Sequence, residues 1–365
     1  MTAVTENRSY YPALDGLRGV AILLVVLYHN FGFIKQSFFG WLGVDLFFVL
    51  SGFLITSILL NELGKPGYLR NFFIKRILRI FPLYYLFLII FLILLPLFGL
   101  YKKELNFFIT NQWWLWTYLQ NWLYSLYPSK SGNMLTHLWS LAVEEQFYIV
   151  WPFIILLVKS PKKLFFIMLG ILTLVIVMRS IIWLSHFENL NYTTLYTFTR
   201  IDGICIGSMV SLLMRFKPLL ISQNLAVITL GLALLNFGFF FINEADKDGY
   251  PYFALVGYTT FCTMFGLLLH EIVTGSNKTI TNKILSLPSL RFFGKISYGF
   301  YVFHWPIYII TQAYFFTVLN TSCHLNNTFS KFGASILSTG LALVISIISY
   351  YSFERYFLRL KDKFK

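Results

Sequence analysis

Charge is what this 365-residue sequence has least of. Only 12% of its residues are Asp, Glu, Lys or Arg, against about 25% in a soluble globular chain. Hydrophobic residues make up 57%, and so few charges cannot cover so much apolar material, which excludes one soluble core. An aromatic share of 20% excludes disorder, because disordered chains are poor in aromatics and rich in charge. Three cysteines exclude a disulfide scaffold. None falls in a CxxC or Cys/His cluster, so no metal site is expected. Glycine-rich phosphate loops, dinucleotide fingerprints, repeats and low-complexity tracts are missing as well. Acidic residues are the scarcest class, 15 against 29 basic ones, for a net charge of +14. In a soluble chain that balance would suggest nucleic acid. In a membrane chain the basic residues should collect on one side of the bilayer.

What the sequence has instead is long apolar runs. A membrane helix needs about 20 mostly apolar residues. Ten runs qualify: 14–33, 40–61, 80–100, 136–158, 164–184, 201–214, 224–242, 252–273, 296–317 and 332–353. The segment 107–126 carries Trp113, Trp114, Trp116, Trp122 and several polar residues. It reads as an interfacial or re-entrant helix, because Trp and Tyr favour the headgroup level. With the N-terminus cytoplasmic and the ten spans alternating, twenty basic residues fall on the cytoplasmic side. Arg8, Lys75, Arg76, Arg79, Lys217, Lys278 and Lys365 are among them. Six fall outside: Lys35, Lys102, Lys103, Lys130, Lys247 and Lys331. Arg18, Arg179 and Arg200 sort to neither side, since they lie within or at the edges of spans. The outer loop Asn243–Tyr250 is acidic on balance. An eleventh span at 107–126 would destroy this asymmetry. The expectation is an all-α integral membrane protein: one domain over 1–365, a bundle of about ten transmembrane helices, both termini cytoplasmic. No cleavable signal peptide is read at the start, where the first run holds Asp15 and Arg18.

Ionisable residues inside a span are costly, and they usually face the bundle interior, a partner or a cavity. Arg18 and His29 lie eleven residues apart in the first run. That is about three helical turns, so both project from one face, separated by roughly 16 Å. His29 is either a structural histidine bonded to another helix or a general base, since a neutral imidazole accepts a hydroxyl proton. Sharing a stripe with Arg18 favours the base. Asp45 is a buried acid in the second run, with a structural partnership the alternative. Arg76 and Arg79, at i and i+3, share a face at the entrance to the third run. They could grip phosphates or serve as ordinary positive-inside anchors. In the fourth run Glu144 and Glu145 point about 100° apart, so at most one should reach the cavity that holds His29. Arg200 and Asp202 open the sixth run. His304 in the ninth stands just before Pro306, which should break or kink the helix.

Taken together, Leu14–His29, Trp41–Ile55, Phe73–Tyr85 and His137–Pro152 resemble the membrane-bound acyltransferase family 3. These are bacterial O-acyltransferases that modify cell-surface sugars. Weaker echoes are Arg200–Gly207, Ser297–Pro306 and Ser352–Glu354. The resemblance implies that His29 is the catalytic base, with Arg18 and Glu144 also essential. It links Arg76 and Arg79 to the acyl-CoA donor, acetyl-CoA being the commonest. Asp45, Trp122, Ser140, Arg200, Asp202 and His304 would then bind substrate or support the site. The family's Glu-x-Pro appears here as Glu354-Arg355-Tyr356, without its proline. Many relatives carry an SGNH hydrolase domain after the last span, and none is expected here.

The resemblance implies an enzyme of the bacterial inner (cytoplasmic) membrane. It would transfer an acyl group to a hydroxyl of an exported or surface carbohydrate such as O-antigen, lipopolysaccharide or exopolysaccharide. Its partners would be acyl-CoA, a glycan acceptor and membrane lipid, with no metal and no nucleic acid. The competing class is a glycan or metabolite exporter without acyl chemistry, because buried Arg, His, Asp and Glu also suit a proton-coupled carrier.

Overall fold

In lipid the backbone must satisfy its own hydrogen bonds, so apolar runs of this length should fold as helices. A computed structural model describes residues 11–127, 134–185, 191–216, 225–242, 257–275, 279–361 and 363–364. Every regular element among them is helical. Arg8, Lys130, Lys217, Lys247, Lys278, Lys365, the loop Asn243–Tyr250, and the run starts at 224 and 252–256 lie outside the described residues.

Helix α1 spans Pro12–Asn30, α2 Leu42–Glu62 and α3 Tyr68–Leu88, which runs on through a wider π turn to Leu97. Three short helices follow: α4 Lys102–Thr110, α5 Gln112–Trp116 and α6 Gln120–Leu126. Next come α7 Trp139–Val158 and α8 Pro161–Leu184. The short α9 Asn191–Thr194 and α10 Thr197–Arg200 lead into α11 Asp202–Phe216. Then follow α12 Leu225–Ile242, α13 Tyr258–Thr274 and α14 Ile280–Leu285. The chain continues with α15 Pro288–Thr317, α16 Asn327–Ser349 and α17 Arg355–Lys361.

Seven of these, counted with their continuations, are long and apolar enough to cross a membrane: α1, α2, α3, α7, α8, α15 and α16. The runs at 201–214, 224–242 and 252–273 form the shorter α11, α12 and α13, with 15, 18 and 17 residues.

Two boundaries differ from expectation in ways that matter for chemistry. Helix α3 starts at Tyr68, not near residue 80. Arg76 and Arg79 therefore project from within a helix, on the shared face that their spacing predicts. Helix α15 continues through Pro306 to Thr317 without a break. Proline leaves the carbonyl four residues back without its helical donor. That carbonyl belongs to Val302, and His137 Nε2 lies 3.1 Å from it and fills the gap.

The Trp-rich segment is not one helix. It is α4–α6, broken at Asn111 and again around Tyr118, whose φ is +55°. The segment packs on α3. The Tyr84 and Tyr85 hydroxyls donate to the Leu115 and Trp116 carbonyls at 2.8 and 3.2 Å. The Tyr118 ring stacks on Tyr84 with centroids 4.2 Å apart.

Glycine lets two helix pairs meet backbone to backbone, as small residues do in membranes. On α1, a Cβ at Gly16 would sit 1.6 Å from the Leu285 carbonyl oxygen, and one at Gly19 2.1 Å from that of Leu290. A Cβ at Gly294 on α15 would sit 1.8 Å from the Asp15 oxygen. Gly52 of α2 and Gly207 of α11 are interleaved in the same way.

Candidate active site

Helices α1, α2, α3, α7 and α15 enclose a cavity of about 110 Å³. Arg18 of α1 and Arg76 and Arg79 of α3 line it. The i, i+3 spacing of the α3 pair aims both guanidiniums at the same space. Two wider cavities meet the first at these arginines. One, of about 710 Å³, is bordered by Lys65, Lys75, Arg76, Arg79 and Lys361. The other, of about 490 Å³, is bordered by Arg18, Arg79, Lys295 and Glu354. Arg79 borders all three. Arg18 pairs with Asp15 at 3.1 Å. Among the described residues neither Arg76 nor Arg79 makes an ion pair. Arg76 instead lies over the Tyr148 ring, 5.1 Å from its centroid. Converging guanidiniums with few paired carboxylates make a strongly positive site suited to phosphate groups.

Glu144 lines the same cavity, with Ser51, Ser140, Tyr148 and Tyr301. Glu145 is buried and does not line it, as the 100° step between neighbours on a helix requires. The Ser51 and Tyr148 hydroxyls are hydrogen-bonded to each other. Ser140 Oγ lies 2.6 Å from the Tyr301 hydroxyl, which donates to the His137 carbonyl at 2.5 Å.

Beyond Tyr301 three imidazoles come together. The rings of His29 and His304 are 5.0 Å apart, those of His137 and His304 5.4 Å, and those of Tyr301 and His304 5.7 Å. His304 Nε2 is 3.0 Å from His29 Nδ1. His137 and His304 are buried at 2% and 0% exposure, while His29 stays partly accessible. His29 is therefore the most exposed member of the trio. No set of three His, Cys, Asp or Glu side chains among the described residues is arranged to hold a metal ion.

Asp45, Arg200 and Asp202 are brought together, but away from the cavity lining. Arg200 donates to Asp45 at 2.5 Å. Arg179 donates to Asp202 at 3.0 Å and is also hydrogen-bonded to Thr259. The Arg200 guanidinium carbon lies 3.9 Å from the Tyr258 ring centroid. All four charged side chains are at most 3% exposed. These residues are paired with one another and buried, as a supporting role needs. Helix ends that would otherwise bury a lone charge cancel it across helices. Arg179→Leu alone should lower stability by about 3–5 kcal/mol, because it strands the Asp202 carboxylate. Arg179→Leu with Asp202→Leu should recover most of the loss in thermal unfolding measurements.

Trp122 is a bracing residue. Its Nε1 donates to Thr197 Oγ1 at 2.9 Å, and Asn121 Nδ2 reaches the same oxygen at 2.8 Å. Thr197 in turn donates to Gln146 Oε1 at 2.5 Å, which fixes α6 and α10 against α7. Glu354 accepts from Ser349 Oγ at 3.1 Å. It lies against Gly299, where a Cβ would be 2.6 Å from its Oε1. This carboxylate borders the cavity that Arg79 also borders.

Sequence reasoning misses Tyr148, Tyr301 and a role for His137. Ser297, Tyr301 and His304 fall at i, i+4 and i+7, so helical spacing from His304 is the signal that leads to Tyr301. Nothing local marks His137, whose partner is far along the chain.

Comparisons with known proteins place the chain in a family. The family described as "Acyltransferase domain" matches residues 11–351. The peptidoglycan O-acetyltransferase OatA of Listeria monocytogenes is 31% identical over 384 aligned positions, covering 98% of this chain and 58% of OatA. The putative peptidoglycan O-acetyltransferase YrhL of Bacillus subtilis is 32% identical, covering 84% of this chain and 50% of that protein. A putative O-acetyltransferase of Staphylococcus aureus is 32% identical, covering 85% and 52%. The chain spans about half the length of the curated relatives it matches. No solved structure matches it.

Proposed function

Because the chain belongs to acyltransferase family 3, we propose that it transfers an acyl group, acetyl from acetyl-CoA, to a hydroxyl of a cell-envelope carbohydrate. The relatives' names point to a peptidoglycan sugar as the acceptor. The observation that carries this reading is the polar cavity with arginines at its mouth and, past Tyr301, the His29–His304 pair. The donor's phosphates rest on Arg76, Arg79 and Arg18. Its pantetheine arm covers the roughly 16 Å between the Arg18 and His29 levels.

The sugar hydroxyl meets the thioester beside His29. His29 takes the hydroxyl proton as the oxygen attacks the thioester carbonyl carbon. The tetrahedral intermediate then collapses, the carbon–sulfur bond breaks, and the thiolate recovers the proton from the imidazolium. The residues equally suit an acyl-histidine route, in which His29 carries the acyl group between the two partners. Glu144 stands on the donor side and balances the arginines.

The protein sits in the bacterial cytoplasmic membrane. Counting the apolar runs that hold α11–α13 as spans gives a ten-span bundle with both ends cytoplasmic, the arrangement that the sorting of basic residues supports.

The test is purified protein with labelled acetyl-CoA and a panel of cell-envelope glycans. Label should appear on glycan with stoichiometric release of free CoA thiol. An intact glycan that is equally acylated with and without the gene, yet held inside the cell without it, would establish an exporter instead.

A further inference from the structure

We infer that His304 is the positioning residue of the transfer: its Nε2 lone pair holds the Nδ1 proton of His29 and so leaves His29 Nε2 bare to act as base. This rests on the reading of His29 as the base.

The proton placement follows from the neighbours. His304 Nδ1 lies 3.1 Å from the Phe300 carbonyl oxygen and 2.7 Å from that of Tyr301. Carbonyl oxygens only accept, so this nitrogen carries the proton. A neutral imidazole has one N–H, which makes His304 Nε2 an acceptor. The atom facing it at 3.0 Å is His29 Nδ1. That atom must therefore donate, and the single proton of neutral His29 is fixed on Nδ1. His29 Nε2 keeps its lone pair.

A carboxylate fixes the tautomer in a Ser-His-Asp triad. Here a second imidazole does the same with no additional buried charge to compensate. When His29 Nε2 takes the hydroxyl proton, His29 Nδ1–H still points at the His304 lone pair, so the arrangement persists in the charged state.

The fold holds His304 from two sides. Its own helix supplies both carbonyls that orient the ring. His137 occupies the Val302 carbonyl that Pro306 leaves open, and its ring stands edge-on to His304 at 84°. Pro306 thereby helps pin the imidazole in place, where a helix break would have freed it.

The experiment compares His304→Gln with His304→Leu. A glutamine Oε1 can accept from His29 Nδ1–H; leucine cannot. In His304→Leu, kcat should fall by about 10²-fold or more with the donor KM unchanged. His304→Gln should stay within about tenfold of wild type. Nitrogen-15 imidazole spectra, with His29→Gln used to assign the His29 signals, should show the proton on Nδ1 in wild type and His304→Gln. In His304→Leu it should redistribute toward Nε2. A wild-type His29 protonated on Nε2, an unimpaired His304→Leu, or equal loss in both variants would overturn the inference. If the protein transfers no acyl group, the functional reading fails, and the wild-type spectrum alone still decides where the proton lies.

Discussion

His29→Ala should lower acyl transfer by at least about 10²–10⁴-fold, the contribution of a positioned general base. The loss should fall on kcat and not on donor affinity. In the proposed binding mode the donor's phosphates lie roughly 16 Å away at the level of Arg18, three helical turns down α1. The fold should survive, because His29 is only partly buried. Labelled acetyl-CoA turnover and equilibrium donor binding, measured on the same preparation, separate the two quantities. A variant with wild-type turnover removes His29 from the chemistry. A variant that no longer binds donor moves it into the binding site.

Arg76→Ala and Arg79→Ala should act on the other parameter. A charge-assisted hydrogen bond contributes about 1.5–3 kcal/mol, so each removal should raise the donor KM by about 10- to 100-fold. At saturating donor kcat should change little, since neither guanidinium is hydrogen-bonded to the imidazoles. Arg79 borders all three cavities and should show the larger effect. Lysine should restore affinity only partly, because a point charge lacks the planar fork that grips phosphate oxygens in pairs. Raising ionic strength should weaken donor binding in the wild type and less so in the variants. Unchanged donor KM in Arg76→Ala and Arg79→Ala would place the donor elsewhere.

The parts of the site that lie on one helix are legible in the sequence. Arg18 and His29 share a stripe because α1 is an uninterrupted helix and eleven residues make about three turns. Arg76 with Arg79, and the divergence of Glu144 from Glu145, follow from the same period. What the sequence withholds is pairing between helices. Asp45 meets Arg200 across 155 positions, and His29 meets His304 across 275. No periodicity encodes either meeting. Arg179 stands out in the sequence only as a basic residue that fits neither side of the membrane, and its partner Asp202 is supplied by packing. The proline rule misleads for a related reason. A helix breaks at proline when the freed carbonyl has no other donor, and the donor here, His137, sits 165 residues from Val302. The count of ten spans rests on the three apolar runs whose described helices are α11 to α13, with 15, 18 and 17 residues.

The glycine contacts between α1 and α15 bear on how a membrane catalyst can serve reactants arriving from opposite sides. Gly16, Gly19 and Gly294 seat the backbones of α1, the α14–α15 turn and α15 directly on one another. No compressible side chain lies between them at these points. The helices that carry His29 and His304 therefore behave as one rigid post. A carrier would have to rock such a post to expose its centre alternately to each side. An acyltransferase can leave it still. In the proposed reaction the thioester would reach it through the arginine-lined mouth, the hydroxyl would come to the accessible face of His29, and only the acyl group would cross between them.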